Sequence, residues 1–109
     1  GIANHEAIAA AKGGIEAMVR AAAASYASRG LRINAIAPSL TDTPLSQAIV
    51  GSEQALEISK RMHPTGAIGQ ACDVASLAAW LHSDQAKFVT GQTFVMDGGI
   101  SKIVPKPKA

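Results

Sequence analysis

Few side chains in this 109-residue chain combine reactive chemistry with suggestive spacing. His5 and Lys12 stand seven residues apart, which on a helix places them two turns apart on roughly one face. An imidazole has an ordinary pKa of about 6.5, which suits proton transfer. Read alone, however, His5 is a first-turn residue beside Asn4 and Glu6 that solvates a helix end, and Lys12 an exposed helix lysine. A second cluster is the hydroxyl-rich run Pro38-Ser39-Leu40-Thr41-Asp42-Thr43, which by itself reads as a polar turn, with Asp42-Thr43-Pro44 capping the helix that follows. Metal chemistry finds no support. His5, His63, His82 and Cys72 lie on separate segments, with no pair at ligand separation. No Gly-x-Gly-x-x-Gly loop is present to cradle phosphate, and Gly66-x-x-Gly69 is too short to replace one.

The elements that must position these residues follow from hydrophobic spacing. Ile8, Ile15, Met18, Val19, Ala22 and Tyr26 recur at three- and four-residue intervals, which predicts a helix over residues 5 to 29, with Asn4 as N-cap and Gly30 as stop. Its alanines and the Gly13-Gly14 pair give a smooth surface open to close approach, although each glycine costs about 1 kcal/mol of helix propensity. Residues 31 to 37 read as a short strand, apolar on both faces apart from Arg32 and Asn34 and ended by Pro38, as in a covered parallel sheet. Residues 45 to 62 carry Leu45, Ala48, Ile49, Leu56, Ile58 and Met62, an amphipathic pattern broken near Gly51 into two short helices. Asp73 could cap a helix over 74 to 82 with Leu77, Ala78 and Leu81 inward, and residues 92 to 97 form a last strand ending in Gly98-Gly99. Helix, strand, helical excursion, helix, strand is the order of a parallel α/β sheet. Two strands alone would leave apolar edge and face exposed, which favours self-association.

Composition narrows the function classes. A net charge of +2 argues against nucleic acid, since the only gathered cations, Lys102, Lys106 and Lys108, alternate with prolines in a short basic tail over 102–109 that reads as flexible. One cysteine excludes an internal disulfide, and no apolar stretch approaches the roughly 20 residues of a membrane span, so a cytoplasmic protein without membrane contact is expected. The chain opens on Gly1 without Met or a signal-peptide pattern, which suits a trimmed or partial reading frame as well as a natural start.

The helix NHEAIAAAKGGIEAMVR, the strand that breaks into PSLTDTP and the closing FVMDGG strand, in that order, resemble the carboxyl-terminal half of a short-chain dehydrogenase/reductase. The resemblance covers residues 4 to 101 and implies a partial Rossmann-like doubly wound fold, here residues 1–101, whose nucleotide-binding first half would precede Gly1. The family's Tyr-x-x-x-Lys falls on Ile8-Ala9-Ala10-Ala11-Lys12. Lys12 matches, which implies that it holds nicotinamide ribose hydroxyls, whereas Ile8 has no proton to give. His5, one turn before Ile8, is the nearest substitute donor. Tyr26 lies roughly 27 Å along the helix and is not one. The family's Pro-Gly-x-x-x-Thr falls on Pro38 to Thr43, which implies cofactor contacts from Pro38, Ser39, Leu40, Thr41 and Thr43. Ser39 stands at the glycine, and a side chain there restricts positive φ. Residues 45 to 62 would be the substrate loop, and 66 to 100 a subunit interface.

Two readings follow. In one, the chain is the carboxyl-terminal segment of an NAD(P)-dependent oxidoreductase acting on a carbonyl or alcohol, homo-oligomeric as a dimer or tetramer through the long helix and the last helix and strand. It binds NAD or NADP only with a first half present, and the chain alone binds none. In the other, it is a catalytically silent remnant that serves as a self-associating module.

Overall fold

The computed structural model describes residues 1–107, so Lys108 of the basic tail lies outside the described residues. The chain forms two compact units, Gly1–Ile36 with Trp80–Phe94, and Ala37–Ala79 with the chain from Val95 onward. Its helices and parallel strands alternate as a partial doubly wound α/β fold.

The first unit is organised on α1, Glu6–Tyr26, about 31 Å long at 1.5 Å per residue. His5, not Asn4, is its N-cap residue. No side chain caps the helix, and Asn4 sits one residue earlier at φ 62. A 3₁₀ turn, Ala27–Arg29, follows, and Gly30 ends it at φ 76, where its N–H reaches the Ala27 carbonyl at 3.0 Å. The Arg29 guanidinium stacks 5.6 Å above the Tyr26 ring. Of the expected stripe only Val19 is buried, with Ala23 one turn beyond, while Ile8, Ile15 and Met18 are 57%, 42% and 61% exposed.

The expected strand over 31–37 is shorter in the structure: β1 is Ala35–Pro38. Residues 32–34 have other partners. The Ile33 N–H donates to Thr90 Oγ1 (3.1 Å), Asn34 Nδ2 to the Val89 carbonyl (3.0 Å) and Arg32 Nη1 to the same carbonyl (3.4 Å), while the Gln92 N–H donates to Asn34 Oδ1 (3.1 Å). These polar side chains in an apolar run thus bind the returning loop instead of extending the ladder. That loop carries Ala86, which is fully buried, and Gly91, where a Cβ would stand 3.5 Å from the Ala23 methyl.

In the second unit β2, Thr41–Asp42, pairs in parallel with β3, Gly69–Gln70, in the register Thr41 to Gly69 and Asp42 to Gln70. A 3₁₀ turn Pro44–Ser46 leads into α2, Gln47–Val50, and α3, Glu53–Met62, so the break falls at Gly51 as expected. Thr43 precedes the 3₁₀ turn and its N–H donates to Ser46 Oγ at 3.0 Å, with Pro44 first in the turn. Ser52 caps α3 by accepting from the Ala55 N–H. Leu45, Ile49, Ile58 and Met62 are nevertheless exposed, so the apolar stripe of the excursion lines no core.

The last helix, α4, is Ala71–His82, three residues longer at its start than expected. Asp73 is not its N-cap; it lies in the first turn, and its Oδ2 accepts the Gln70 N–H at 2.8 Å. Leu77, Ala78 and Leu81 are half-buried, the inward face that the spacing predicts. Trp80 meets Phe94 edge-on, with centroids 6.5 Å apart. Strand β4, Thr93–Met96, pairs with β1. Ala35 N–H donates to the Gln92 carbonyl at 2.8 Å and Ser39 N–H to the Met96 carbonyl at 3.1 Å, both strands advancing in one direction.

After β4, Gly98 and Gly99 take φ 58 and 90, and a Cβ on Gly98 would stand 2.6 Å from Thr65 Oγ1. Gly98→Ala therefore combines backbone strain with a clash. It is expected to lower unfolding free energy by about 1–3 kcal/mol, read as a lower urea midpoint at an unchanged m-value.

Candidate functional site

In parallel α/β sheets ligands bind beyond the carboxyl ends of the strands. Here β1 ends at Pro38 and β4 at Met96, and beyond those ends lies a cavity of about 460 Å³ whose lining includes Ser39, Thr41, His63, Thr65, Gly69 and Gly98.

The turn after β1 is rigidly bonded. Thr41 Oγ1 donates to the Ser39 carbonyl at 3.0 Å, and Ser46 Oγ donates to the Thr41 carbonyl at 2.6 Å. The Leu40 carbonyl accepts the Gly69 N–H at 2.9 Å, and Gln47 Nε2 holds Asp42 Oδ1 at 3.1 Å. Ser39 needs no left-handed backbone: among the described non-glycine residues only Asn4 has positive φ. A side chain at this position thus carries none of the strain that its exchange for glycine suggested.

Its hydroxyl has a specific partner. Ser39 Oγ lies 2.8 Å from His63 Nε2, and His63 Nδ1 lies 2.7 Å from the Ser59 carbonyl one turn back on α3. A carbonyl only accepts, so Nδ1 carries the proton and Nε2 of the neutral ring accepts from Ser39. His63 is 5% exposed and is the one buried polar side chain among the described residues. Sequence spacing set it aside with His82 and Cys72. Only the fold brings residues 39 and 63 together, and a histidine before Pro64 at a helix end gave no signal of it.

The other expected residues lie on α1. His5 is exposed, and its Nδ1 donates to the Ala3 carbonyl at 2.8 Å, leaving Nε2 free. Lys12 is exposed and makes no ion pair among the described residues, where the one pair is Lys60 with Glu57 at 3.3 Å. Among those residues no group of three or more His, Cys, Asp or Glu could hold a metal ion, and no helix is long and apolar enough to cross a membrane.

The fold and the site define the class. The family described as enoyl-(acyl carrier protein) reductase matches residues 1–101, and the chain belongs to this short-chain dehydrogenase/reductase family. It is 43% identical over 93 residues to 3beta-hydroxysteroid dehydrogenase 1 of Eggerthella lenta, covering 85% of this chain and 36% of that protein. Among solved structures, 4-hydroxyisoleucine dehydrogenase complexed with NADH superposes with a TM-score of 0.82 at 27% identity, covering 87% of this chain and 39% of the other. A gluconate 5-dehydrogenase from Burkholderia cenocepacia in complex with NADP and tartrate gives 0.81 at 31% identity, covering 88% and 38%. The chain thus spans well under half the length of each, and the relatives are oxidoreductases that act on hydroxyl groups, which lends nothing to the reading as a silent module.

Asp97, at the cavity rim, yields a pH prediction. The Ser101 hydroxyl, followed by the Gly99 N–H at 2.9 Å, holds its carboxyl below the usual carboxylate range. A lowered folded pKa stabilises the turn above the unfolded value of about 3.9, and this contribution is lost as pH falls through the folded value. Carboxyl carbon NMR should show Asp97 titrating below an unfolded aspartate, and Ser101→Ala should move its midpoint back up.

Proposed function

We propose that the chain is the carboxyl-terminal part of an NAD(P)-dependent dehydrogenase that interconverts an alcohol and a carbonyl. The observation that carries this reading is the hydroxyl-lined cavity beyond the carboxyl ends of β1 and β4, in a chain of this family. The cofactor fits the donor set of the turn, which offers main-chain groups and neutral hydroxyls, with its one carboxylate, Asp42, already held by Gln47. Pro38, Ser39, Leu40, Thr41 and Thr43 would hold the nicotinamide side and Lys12 the ribose hydroxyls, its ammonium being unengaged among the described residues. When bound, the cofactor supplies the acceptor or donor of hydride. The chain's own residues orient it, and they hold or move the hydroxyl proton.

Ile8 is an aliphatic residue 57% exposed on α1 and moves no proton. The exposed Ile8, Ile15 and Met18 of α1, and its open Gly13-Gly14 surface, support self-association, together with the last helix and strand. The single cysteine fits a cytoplasmic setting.

Two measurements test the reading in the protein expressed from its native gene. Oxidation of secondary alcohols, followed by NAD(P)H absorbance, should be present, and Lys12→Ala should raise the cofactor KM at least about tenfold, equivalent to the loss of a charge-assisted hydrogen bond. Absence of turnover over a broad alcohol and ketone panel, with no NAD(P)H binding by fluorescence, sinks the proposal. In sedimentation equilibrium Met18→Lys should shift the protein toward monomer. An unchanged mass would remove α1 from the interface.

A further inference from the structure

Oxidising an alcohol requires a base for the hydroxyl proton as the carbinol hydrogen leaves, whatever accepts the hydride. The cavity is lined by three titratable side chains, His63, Asp73 and Asp97. Asp73 is occupied by the Gln70 N–H, and Asp97 is held by Ser101 and Gly99, which weakens it as a base. His63 remains. Its ring is nearly sealed from solvent, its Nδ1–H is fixed on the Ser59 carbonyl, and its basic lone pair on Nε2 points at Ser39 Oγ, 2.8 Å away. Any proton reaching His63 from the cavity by this path must pass through the serine hydroxyl.

We propose that Ser39 and His63 form a proton relay for substrate alcohols, a deepening that rests on the dehydrogenase reading above. Ser39 is the catalytic residue, and His63 acts through it as a positioning residue and proton store. In the oxidising direction the substrate O–H bond breaks and its proton moves to Ser39 Oγ, while the Ser39 proton moves to His63 Nε2. The carbinol C–H bond breaks with its electron pair, which leaves as hydride for the nicotinamide. The products are a carbonyl, an intact serine and an imidazolium whose two N–H groups face Ser39 and Ser59, and the extra proton returns to solvent. Reduction reverses each transfer. The dyad follows the general logic of a hydroxyl activated by a histidine that a third group orients, here a main-chain carbonyl. The charged side chains that line a cavity together with His63 are Asp73 and Asp97 on one side, and Lys60 and Arg61 at the end of α3, Lys60 being paired with Glu57.

The test uses the protein expressed from its native gene and two independent readouts. Long-range ¹H–¹⁵N NMR of the imidazole should show the neutral ring protonated on Nδ1, with the Nε2 resonance shifting on Ser39→Ala. A neutral ring protonated on Nε2 overturns the relay regardless of activity, because that nitrogen could then take no proton. In steady-state alcohol oxidation, Ser39→Ala and His63→Gln should each lower kcat at least about 100-fold, His63→Gln with little change in cofactor KM. Both should abolish the rise of kcat with pH, and the double variant should be no slower than either single one, as expected of residues acting as a unit. Circular dichroism checks that each variant is folded, and Ser39→Ala carries the kinetic test if His63→Gln is not. A wild-type enzyme that turns over while folded Ser39→Ala keeps its rate and pH profile overturns the relay and leaves the dehydrogenase reading standing. Loss of rate on His5→Ala with His63→Gln unaffected does the same. A wild-type protein with neither turnover nor NAD(P)H binding overturns both.

Discussion

Everything placed at the candidate site depends on the parallel pairing of β1 with β4. No disulfide, and among the described residues no ion pair between distant segments, ties the early part of the chain to its end; hydrogen bonds do. Gly91 N–H to the Ile33 carbonyl at 2.7 Å, Ala35 N–H to Gln92 and Ser39 N–H to Met96 set the register. Because that register is parallel, both strands end on one side, and the turn at Ser39 and the glycine pair after Met96 border the same cavity. An antiparallel pair would have sent them to opposite ends. Arg32 and Asn34 reinforce the register from their side chains, so the two polar residues that interrupt an apolar run serve alignment and not exposure.

Much of this was legible in the residues. The order of elements, the stop at Gly30, the break at Gly51, the cap around Thr43 and the inward face of α4 all follow from local spacing and local chemistry, which a sequence displays directly. Sequence and structure part where one residue type can satisfy a backbone group from two positions. Asp73 is a cap candidate by residue type, but its carboxylate reaches back to the Gln70 N–H from inside the first turn. Asn4 has the side chain of a cap, but it takes a positive φ one residue ahead of the N-cap position, which His5 occupies before the helix begins at Glu6. Two features were out of reach: the two-residue pairing of β2 with β3, and the bond from Ser39 to His63 across 24 residues. Both exist only once the excursion has folded back, and neither carries a periodic signal.

The chemistry divides along the same line. The family pattern directs attention to α1, where Lys12 is in place and Ile8 removes the proton-transferring group. The structure adds a hydroxyl and an imidazole on separate segments, joined by a short hydrogen bond beside the cavity. A motif search along one helix cannot find such a pair, because its members belong to a turn and to the end of a different helix. The apolar side chains of α1 and of the excursion are exposed in a chain that spans well under half the length of the relatives it matches.

The carbonyl that orients His63 belongs to the last turn of α3, and His63 also closes that turn by donating its main-chain N–H to the Lys60 carbonyl at 3.2 Å. The imidazole is therefore part of the helix terminus it hangs from. Helix ends fray at little cost, and helix–coil relaxation of an isolated ~20-residue peptide takes about 0.1–1 μs. Fraying of that turn would withdraw the Ser59 carbonyl and free the ring to rotate, and re-formation would restore the one orientation. The lifetime of a single helical turn thus sets how long the nitrogen lone pair stays aimed at the serine.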